Sequence, residues 1–164
     1  WQAVLFKTLM EEIVFNEQDR PDYHLRFDMQ ILPDAANALV FVQTNNIKEA
    51  FDNLVWNARD AMNGAGMPES DRLLSVYAHR SLNEIWIRFI NNGPDIPDKI
   101  QHRIMDLYFS TKEETGGTGV GLFTAHKYLV EAGGDLRLES SKDGQTIFTA
   151  KLPIIERAKT DNKD

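Results

Sequence analysis

NLVWNARDAM, residues 53–62, places polar side chains inside a helical apolar pattern that extends from about residue 47 to 65. Asn is a poor helix former because its amide competes for backbone hydrogen bonds. Asn53 and Asn57 nevertheless stand four residues apart, and Asp60 follows three residues later, so all three lie along one face of the predicted helix. Such oxygens suit Mg²⁺, which takes one or two protein oxygens beside substrate phosphates. The alternative is a pair of Asn side chains that bond to a neighbouring loop.

Three stretches downstream also carry polar or glycine-rich patterns. Residues 91–97 (NNGPDIP) follow a predicted strand, where a polar side chain beside a glycine turn can meet the edge of a flat heterocycle. Residues 108–112 (YFSTK) offer a lysine to a phosphate. Residues 115–122 (TGGTGVGL) lead into a helix, whose free N–H groups form an anion site. Taken singly, a plain turn, an ordinary loop and a flexible linker explain these stretches as well.

The glycine-rich stretch is neither a Walker loop nor a dinucleotide fingerprint. No Gly-Lys-Ser/Thr follows it, and no strand immediately precedes it. The order of predicted elements also argues against a doubly wound parallel sheet, because pairs of strands separate the helices. We therefore predict an α+β fold, a layered sandwich with a mixed, mostly antiparallel sheet. The helices are expected near 1–17, 47–65, 97–107 and 121–132, and the strands near 24–32, 40–42, 72–78, 84–90, 135–140 and 145–152.

The composition indicates one globular domain. The chain has 164 residues, of which 42% are apolar and 26% charged. Its net charge of −7 disfavours nucleic-acid binding, which normally needs a basic surface. The absence of cysteine excludes disulfides and thiolate metal sites, and the four scattered histidines do not predict zinc. No run of 18 apolar residues predicts a membrane span. The start at Trp1, without Met, leads us to expect a piece of a longer protein.

In their order along the chain, these stretches resemble the N, G1, F and G2 boxes of the GHKL ATPases. The likeness is to the catalytic ATP-binding domain of bacterial sensor histidine kinases. It is carried by Asn53–Met62, Asn91–Pro97, Ile104–Lys112 and Gly117–Leu122, and by a closing strand over Asp143–Pro153. The resemblance implies a two-layer α/β sandwich with helices on one face of the sheet. The domain would span residues 1–155, with 1–17 a linking helix from a dimerisation domain and 156–164 a frayed tail.

The resemblance also implies roles for individual residues. Asn57 would coordinate Mg²⁺ with support from Asn53, and Lys112 would reach the terminal phosphate of ATP beneath a lid over about residues 110–119. The nucleotide would be held by a larger set: Asn53, Asp60, Asn91, Gly93, Ile96, Thr118, Gly119, Val120, Gly121 and Leu122. Two positions depart from the family pattern. Asn91 replaces an Asp that accepts from the adenine amine, and Asp95 replaces a glycine, which would bring a negative charge near the nucleotide.

The implied function is that of a histidine kinase. The domain would donate the γ-phosphate of Mg-ATP to a histidine on a separate phosphoacceptor domain, with a response regulator downstream, in the cytoplasm or on the cytoplasmic side of a membrane-bound sensor. No histidine here is followed by Asp or Glu, so the phosphoacceptor is expected elsewhere. Two alternatives stay open. One is an ATP-driven clamp of the Hsp90, MutL or gyrase kind, whose catalytic Glu position is Asn53 here. The other is a nucleotide-binding signalling module without turnover.

Overall fold

The computed structural model describes residues 1–18, 25–111 and 118–155, and for residues 14–18 it describes the backbone alone. The expected tail over 156–164, Lys112 and most of the expected lid therefore lie outside the described residues. The elements in chain order are β1 (Gln2–Leu5), α1 (Phe6–Gln18), β2 (Arg26–Ile31), α2 (Pro33–Ala36), β3 (Leu39–Val42), α3 (Thr44–Gly64), a 3₁₀ turn (Glu69–Asp71), β4 (Leu73–Ser81), β5 (Glu84–Asn91), α4 (Asp98–Gln101), α5 (Gly121–Glu131), β6 (Asp135–Lys142) and β7 (Gln145–Ile155).

Seven strands form one mixed sheet. Its order is β1-β3-β7-β5-β4-β2, with β6 also paired to β7. Only the β2–β4 pair is parallel among the described strands, and every other pair is antiparallel. The predicted α+β sandwich with a mostly antiparallel sheet is confirmed. β7 lies at the centre, because it pairs with β5 along one edge and with β6 and then β3 along the other.

One face of the sheet packs against the helices and forms the core. Strand β5 alternates between buried and partly exposed residues, and β4 does so as far as His79, as expected for a sheet that is covered on one side. The longest helix, α3, buries one apolar stripe against this face and leaves the polar row with Asn53 and Asn57 half-exposed. Helix α5 packs beside α3. The core side chains contributed by α3 are Ile47, Ala50, Phe51, Leu54, Val55, Ala58 and Met62.

The N-terminus differs from the expected helix over residues 1–17. Residues 2–5 form a strand that pairs antiparallel with β3, and the helix begins at Phe6, whose N–H donates to Ala38 O at 2.9 Å. The apolar residues at the start of the chain fit both a helical and a strand pattern, and pairing with β3 decides between them. Phe6, Leu9, Met10 and Ile13 are buried, so this helix is an integral part of the core.

The helix expected over 97–107 is also shorter than predicted. Regular helix covers only Asp98–Gln101, and the chain continues in tight turns in which Arg103 N–H donates to Ile100 O and Asp106 N–H to Arg103 O. These are i to i+3 bonds, which tighten the backbone beyond an α-helix. Across residues 1–18, 25–111 and 118–155, we find no helix with the length and apolar character that crossing a bilayer requires.

Candidate functional site

A cavity of about 730 Å³ opens at one end of the sandwich, between α3 and the chain segments that follow β5 and precede α5. It joins residues that are far apart in the sequence. The residues expected at the site that do line it are Asn53, Asn57, Asp60, Asn91, Ile96, Thr118, Gly119, Gly121 and Leu122. Gly93 and Val120 are not among the described lining residues, and Lys112 lies outside the described part of the chain.

Helix α3 contributes the polar wall of the cavity. Asn53, Asn57 and Asp60 all face it, as their spacing along one helical face predicts. The Asn53 carboxamide lies against the start of α5, because a Cβ built on Gly121 would be 3.4 Å from Asn53 Oδ1. Trp56 also lines the cavity, with the Arg59 guanidinium 4.5 Å from its ring centre. The sequence reasoning did not single out this tryptophan.

Asn91 forms the floor of the cavity at the end of β5. Its side chain is buried, with only 4% of the residue exposed. The Gly93 N–H donates to Asn91 Oδ1 at 3.0 Å, which closes a tight turn over the side chain. A Cβ on Gly93 would be 3.0 Å from both Asn91 Oδ1 and Met62 Cγ. Gly93 was expected to let a ring approach the backbone. Its lack of a side chain also lets the turn close over Asn91 and Met62.

Asp95 is tied to the hairpin between β6 and β7. Its Oδ1 accepts the Gly144 N–H at 2.9 Å, while the residue also lines the cavity. The negative charge of Asp95, which was expected near a ligand, is therefore held beside this hairpin turn. The Ile96 N–H donates to Ser141 Oγ at 2.7 Å in the same hairpin. These two bonds fix the loop that follows Asn91.

Thr146 on β7 is a lining residue that the sequence reasoning missed. It is 3% exposed, pairs across the sheet with Asn91, and shares a 2.7 Å hydrogen bond with Ser141 Oγ in which either hydroxyl can donate. In the sequence, Thr146 is a polar residue at an inward position of β7. The next inward residues of that strand are the apolar Phe148, Ala150 and Leu152.

The glycine-rich stretch reaches the cavity through a tightly packed backbone. Gly119 has φ +64°, and a Cβ there would be 2.5 Å from the Tyr108 carbonyl carbon. The Tyr108 N–H donates to Gly119 O at 3.0 Å, so the two ends of the intervening segment are held together. Helix α5 then begins at Gly121, and no side chain in the described part of the chain caps it. Val120, expected to supply an N–H, precedes the helix, and its carbonyl accepts from Thr124 N–H.

The described part of the cavity wall has no carboxylate cage for a bare metal ion. Among residues 1–18, 25–111 and 118–155, no group of three or more His, Cys, Asp or Glu side chains is arranged to hold one. A cation in the cavity would need carboxamide oxygens from α3 together with oxygens of a bound ligand. That donor set suits Mg²⁺, which keeps several waters and binds through one or two protein oxygens.

The four stretches singled out in the sequence meet at this cavity, and their combination with this fold indicates the class of protein. A family model described as "Histidine kinase-, DNA gyrase B-, and HSP90-like ATPase" matches residues 43–156, and the chain belongs to this family. Its sequence is 36% identical over 121 residues to the sensor protein VanSC of Enterococcus gallinarum, which covers 71% of this chain and 31% of that protein. It is 31% identical over 117 residues to the two-component sensor PprA of Pseudomonas aeruginosa, with 71% and 13% covered. The chain thus spans less than a third of the length of these relatives.

Solved structures show the same fold. The catalytic domain of the histidine kinase ThkA has a TM-score of 0.74 and 23% identity, covering 93% of this chain and 94% of that one. The mycobacterial sensor histidine kinase MprB has a TM-score of 0.75 and 17% identity, covering 95% and 99%. The resemblance to the catalytic domain of sensor histidine kinases is confirmed.

Proposed function

We propose that this chain binds Mg-ATP in the cavity and donates the γ-phosphate to a histidine on a separate phosphoacceptor domain. The observation that carries the proposal is the convergence of four stretches, read separately in the sequence, on one cavity of about 730 Å³. The family model, which spans residues 43–156, supports ATP as the ligand. Relatives named as two-component sensors support the transfer to histidine.

The phosphates would lie between α3 and the start of α5. The first N–H groups of a helix lack intrahelical partners and attract anions. At α5 these groups are reached past Gly119 and Gly121, so phosphate oxygens can approach the backbone closely. Lys112, outside the described residues, stays a prediction for the terminal phosphate. The carboxylate of Asp60 would repel a polyphosphate unless positive charge offsets its own negative charge. A bound cation would supply that positive charge.

Asn57 and Asn53 would hold the magnesium ion through their carboxamide oxygens, with Asp60 placed to accept from its water shell. When bound, the ion neutralises charge on the phosphates and orients the terminal one. The role of α3 is to fix these side chains on a rigid element whose opposite face is buried in the core. Asn53 also lies near the start of α5, where a Cβ built on Gly121 would be 3.4 Å from its Oδ1.

The base would occupy the apolar part of the cavity. Ile96, Ile100, Ile104 and Leu122 line it there, and such side chains pack well against a flat heterocycle. The buried polar side chains of Asn91 and Thr146 also line the cavity, and they would face the edge of the base. A cavity with four aliphatic side chains and two buried polar ones in its lining would suit a purine.

The partner would supply the acceptor. A histidine nitrogen of the phosphoacceptor domain attacks the γ-phosphorus, the bond to the bridging oxygen breaks, and ADP leaves with that electron pair. One structure that shares this fold, at TM-score 0.70, is ThkA in complex with the response regulator protein TrrA. We include a response regulator as the downstream partner on the same reasoning.

Calorimetric titration with Mg-ATP and Mg-ADP, followed by transfer from radiolabelled ATP to a supplied helical-hairpin phosphoacceptor domain, tests the proposal. Binding with transfer supports it. Binding without transfer to any supplied acceptor favours a signalling module without turnover, and nucleotide-dependent dimerisation with hydrolysis favours a clamp. Failure of both nucleotides to bind in the presence of Mg²⁺ refutes the proposal.

A further inference from the structure

The hydrogen bond within the turn after β5 fixes which way the Asn91 carboxamide faces. The Gly93 N–H is a donor, so the atom that it meets at 3.0 Å must be the acceptor oxygen of the carboxamide. The opposite assignment would set the amide NH₂ against another N–H. The Nδ2 group is therefore directed away from Gly93.

This amide NH₂ remains available to a ligand. Asn91 lines the cavity, and within the described parts of the chain its side chain forms no other hydrogen bond. The Nδ2 atom is also absent from the fully enclosed polar atoms that lack a partner there. Because the Asn91 Nδ2 group is neither hydrogen-bonded nor fully enclosed, it is exposed to the cavity. The buried floor thus presents a donor where an aspartate at this position would present a second acceptor.

From this geometry we infer that Asn91 removes the selectivity for adenine and admits 6-oxopurine nucleoside triphosphates. The inference rests on the proposed function, because it needs a purine in the slot. Adenine carries an amine at position 6, whose hydrogens would face the donor hydrogens of Asn91 Nδ2. Hypoxanthine and guanine carry a carbonyl there, which accepts from the same group. A buried donor that meets another donor loses its hydrogen bond, and this penalty normally gives base discrimination.

Rotation of the carboxamide would not restore selectivity without cost. Turning Oδ1 toward the base would set Nδ2 against the Gly93 N–H and open the turn. Gly93 lies close to Met62, since a Cβ built on it would be 3.0 Å from Met62 Cγ. Asn91 is 4% exposed, so water cannot readily replace the lost bond. The neighbouring Asn92 is fixed as well: its Nδ2 donates to Asp71 O at 2.7 Å and its Oδ1 accepts from Leu73 N–H at 2.8 Å. The turn is locked on both sides of Asn91.

Titration of the wild-type chain with the magnesium complexes of ATP, ITP and GTP tests the inference. ITP differs from ATP only in having an oxo group at position 6 and a proton at N1, so the pair isolates that edge. ITP is expected to bind at least as tightly as ATP. In Asn91→Asp, whose carboxylate still accepts from Gly93 N–H, ATP should tighten and ITP should loosen, so that the ratio of the two dissociation constants changes by about tenfold or more.

Asn63→Asp is the matched control. Asn63 is exposed on α3, is not among the lining residues, and its Oδ1 accepts from Arg72 Nη2 at 3.2 Å, a bond that Asp retains. It adds the same charge without changing the floor, so its ATP-to-ITP ratio should match the wild type. A wild-type preference for ATP of tenfold or more overturns the inference and leaves the proposed function standing. An unchanged ratio in Asn91→Asp also overturns it. Failure of all three nucleotides to bind overturns the proposed function as well.

Discussion

Gly119 occupies a backbone position that a side chain cannot share. Its φ of +64° lies in the left-handed region, which costs an L-residue about 1 kcal/mol. The more severe constraint is the backbone of residues 108 and 109, since a Cβ would be 2.5 Å from the Tyr108 carbonyl carbon and 2.8 Å from the Phe109 nitrogen. Tyr108 itself has φ +64°, an uncommon value for an aromatic residue. Two positions with left-handed backbone, of which only Tyr108 is strained, are therefore joined by a hydrogen bond at the edge of the cavity.

Gly119→Ala is expected to weaken Mg-ATP binding by more than tenfold, because the loop must move away from residues 108 and 109 and carry its backbone N–H groups with it. Gly144→Ala is the matched control: it has φ +73°, has no atom within 4 Å of a built Cβ, and keeps its N–H for Asp95. Calorimetric titration of both variants, with thermal unfolding beside it, makes the comparison. Equal losses of affinity in the two variants would contradict a role for the close approach of Gly119 to the backbone of residues 108 and 109.

Asn57 offers a direct test of the magnesium assignment. Asn57→Ala should bring the affinity for ATP in the presence of Mg²⁺ down to that measured with EDTA, because the carboxamide oxygen is a proposed ligand. The fold should persist, since Asn57 is only half-buried and the apolar stripe of α3 is untouched. Asn45→Ala, exposed on the first turn of the same helix, should retain the full magnesium dependence. Unchanged magnesium dependence in Asn57→Ala would remove the residue from the metal site.

At the scale of elements, the long periodic segments were predictable, and of the short ones β3 was predicted while β1 was not. Helix α3 was expected over 47–65 and spans Thr44–Gly64, because its apolar stripe is long enough to exclude a strand. The segment over residues 2–5 is too short for its hydrophobic periodicity to distinguish a helix from a strand. The strand with which it pairs, β3, lies far along the sequence. The lining residue Thr146 and the bond from Gly144 N–H to Asp95 arise from pairing across the sheet and between loops, which local patterns do not encode.

The open face of the sheet carries an ion pair between strands whose contribution depends on pH. Arg88 Nε donates to Glu139 Oε2 at 2.8 Å, and the Thr149 hydroxyl donates to the same oxygen. The Arg88 hydrogen bond, followed by that from Thr149, lowers the pKa of Glu139 below its ordinary value. A carboxyl group with a lowered folded pKa stabilises the protein above its unfolded pKa, and this contribution is lost as the pH falls through the folded pKa.

Glu139→Gln should therefore lower the free energy of unfolding at neutral pH and have no effect in acid. The loss is expected to be roughly 0.5 kcal/mol, because the carboxylate side chain is 38% exposed and solvent screens the pair. The difference from wild type should shrink as the pH falls through the lowered folded pKa of Glu139, where the carboxylate takes up a proton. Urea unfolding of wild type, Glu139→Gln and the exposed Glu49→Gln across pH 3–7 provides the measurement. A difference that persists once the carboxylate is protonated would assign the effect to packing.

At the scale of the whole molecule, the cavity brings together parts of the sandwich that are far apart in the sequence. Its lining comes from α3, the end of β5, the turns after α4, the start of α5, and β7. Several of these parts are loops that bonds between segments hold in place, such as those from Gly144 N–H to Asp95 and from Tyr108 N–H to Gly119 O. A ligand that contacts all of them adds links between the helical layer and the central strand. Nucleotide binding should therefore stabilise the domain as a unit.

Linkage sets the size of this effect. Free Mg-ATP at 100 times its dissociation constant stabilises the folded state by about 2.7 kcal/mol, which for a chain of this length corresponds to a rise in Tm of roughly 5–10 °C. Differential scanning calorimetry with increasing Mg-ATP should show this rise as one cooperative transition, and hydrogen exchange should slow in α3 and β7 as well as in the loops. Asn57→Ala, at the same nucleotide concentration, should show little of the shift. Protection confined to the loops, with Tm unchanged, would mean that the nucleotide orders the edge of the cavity without coupling to the sheet.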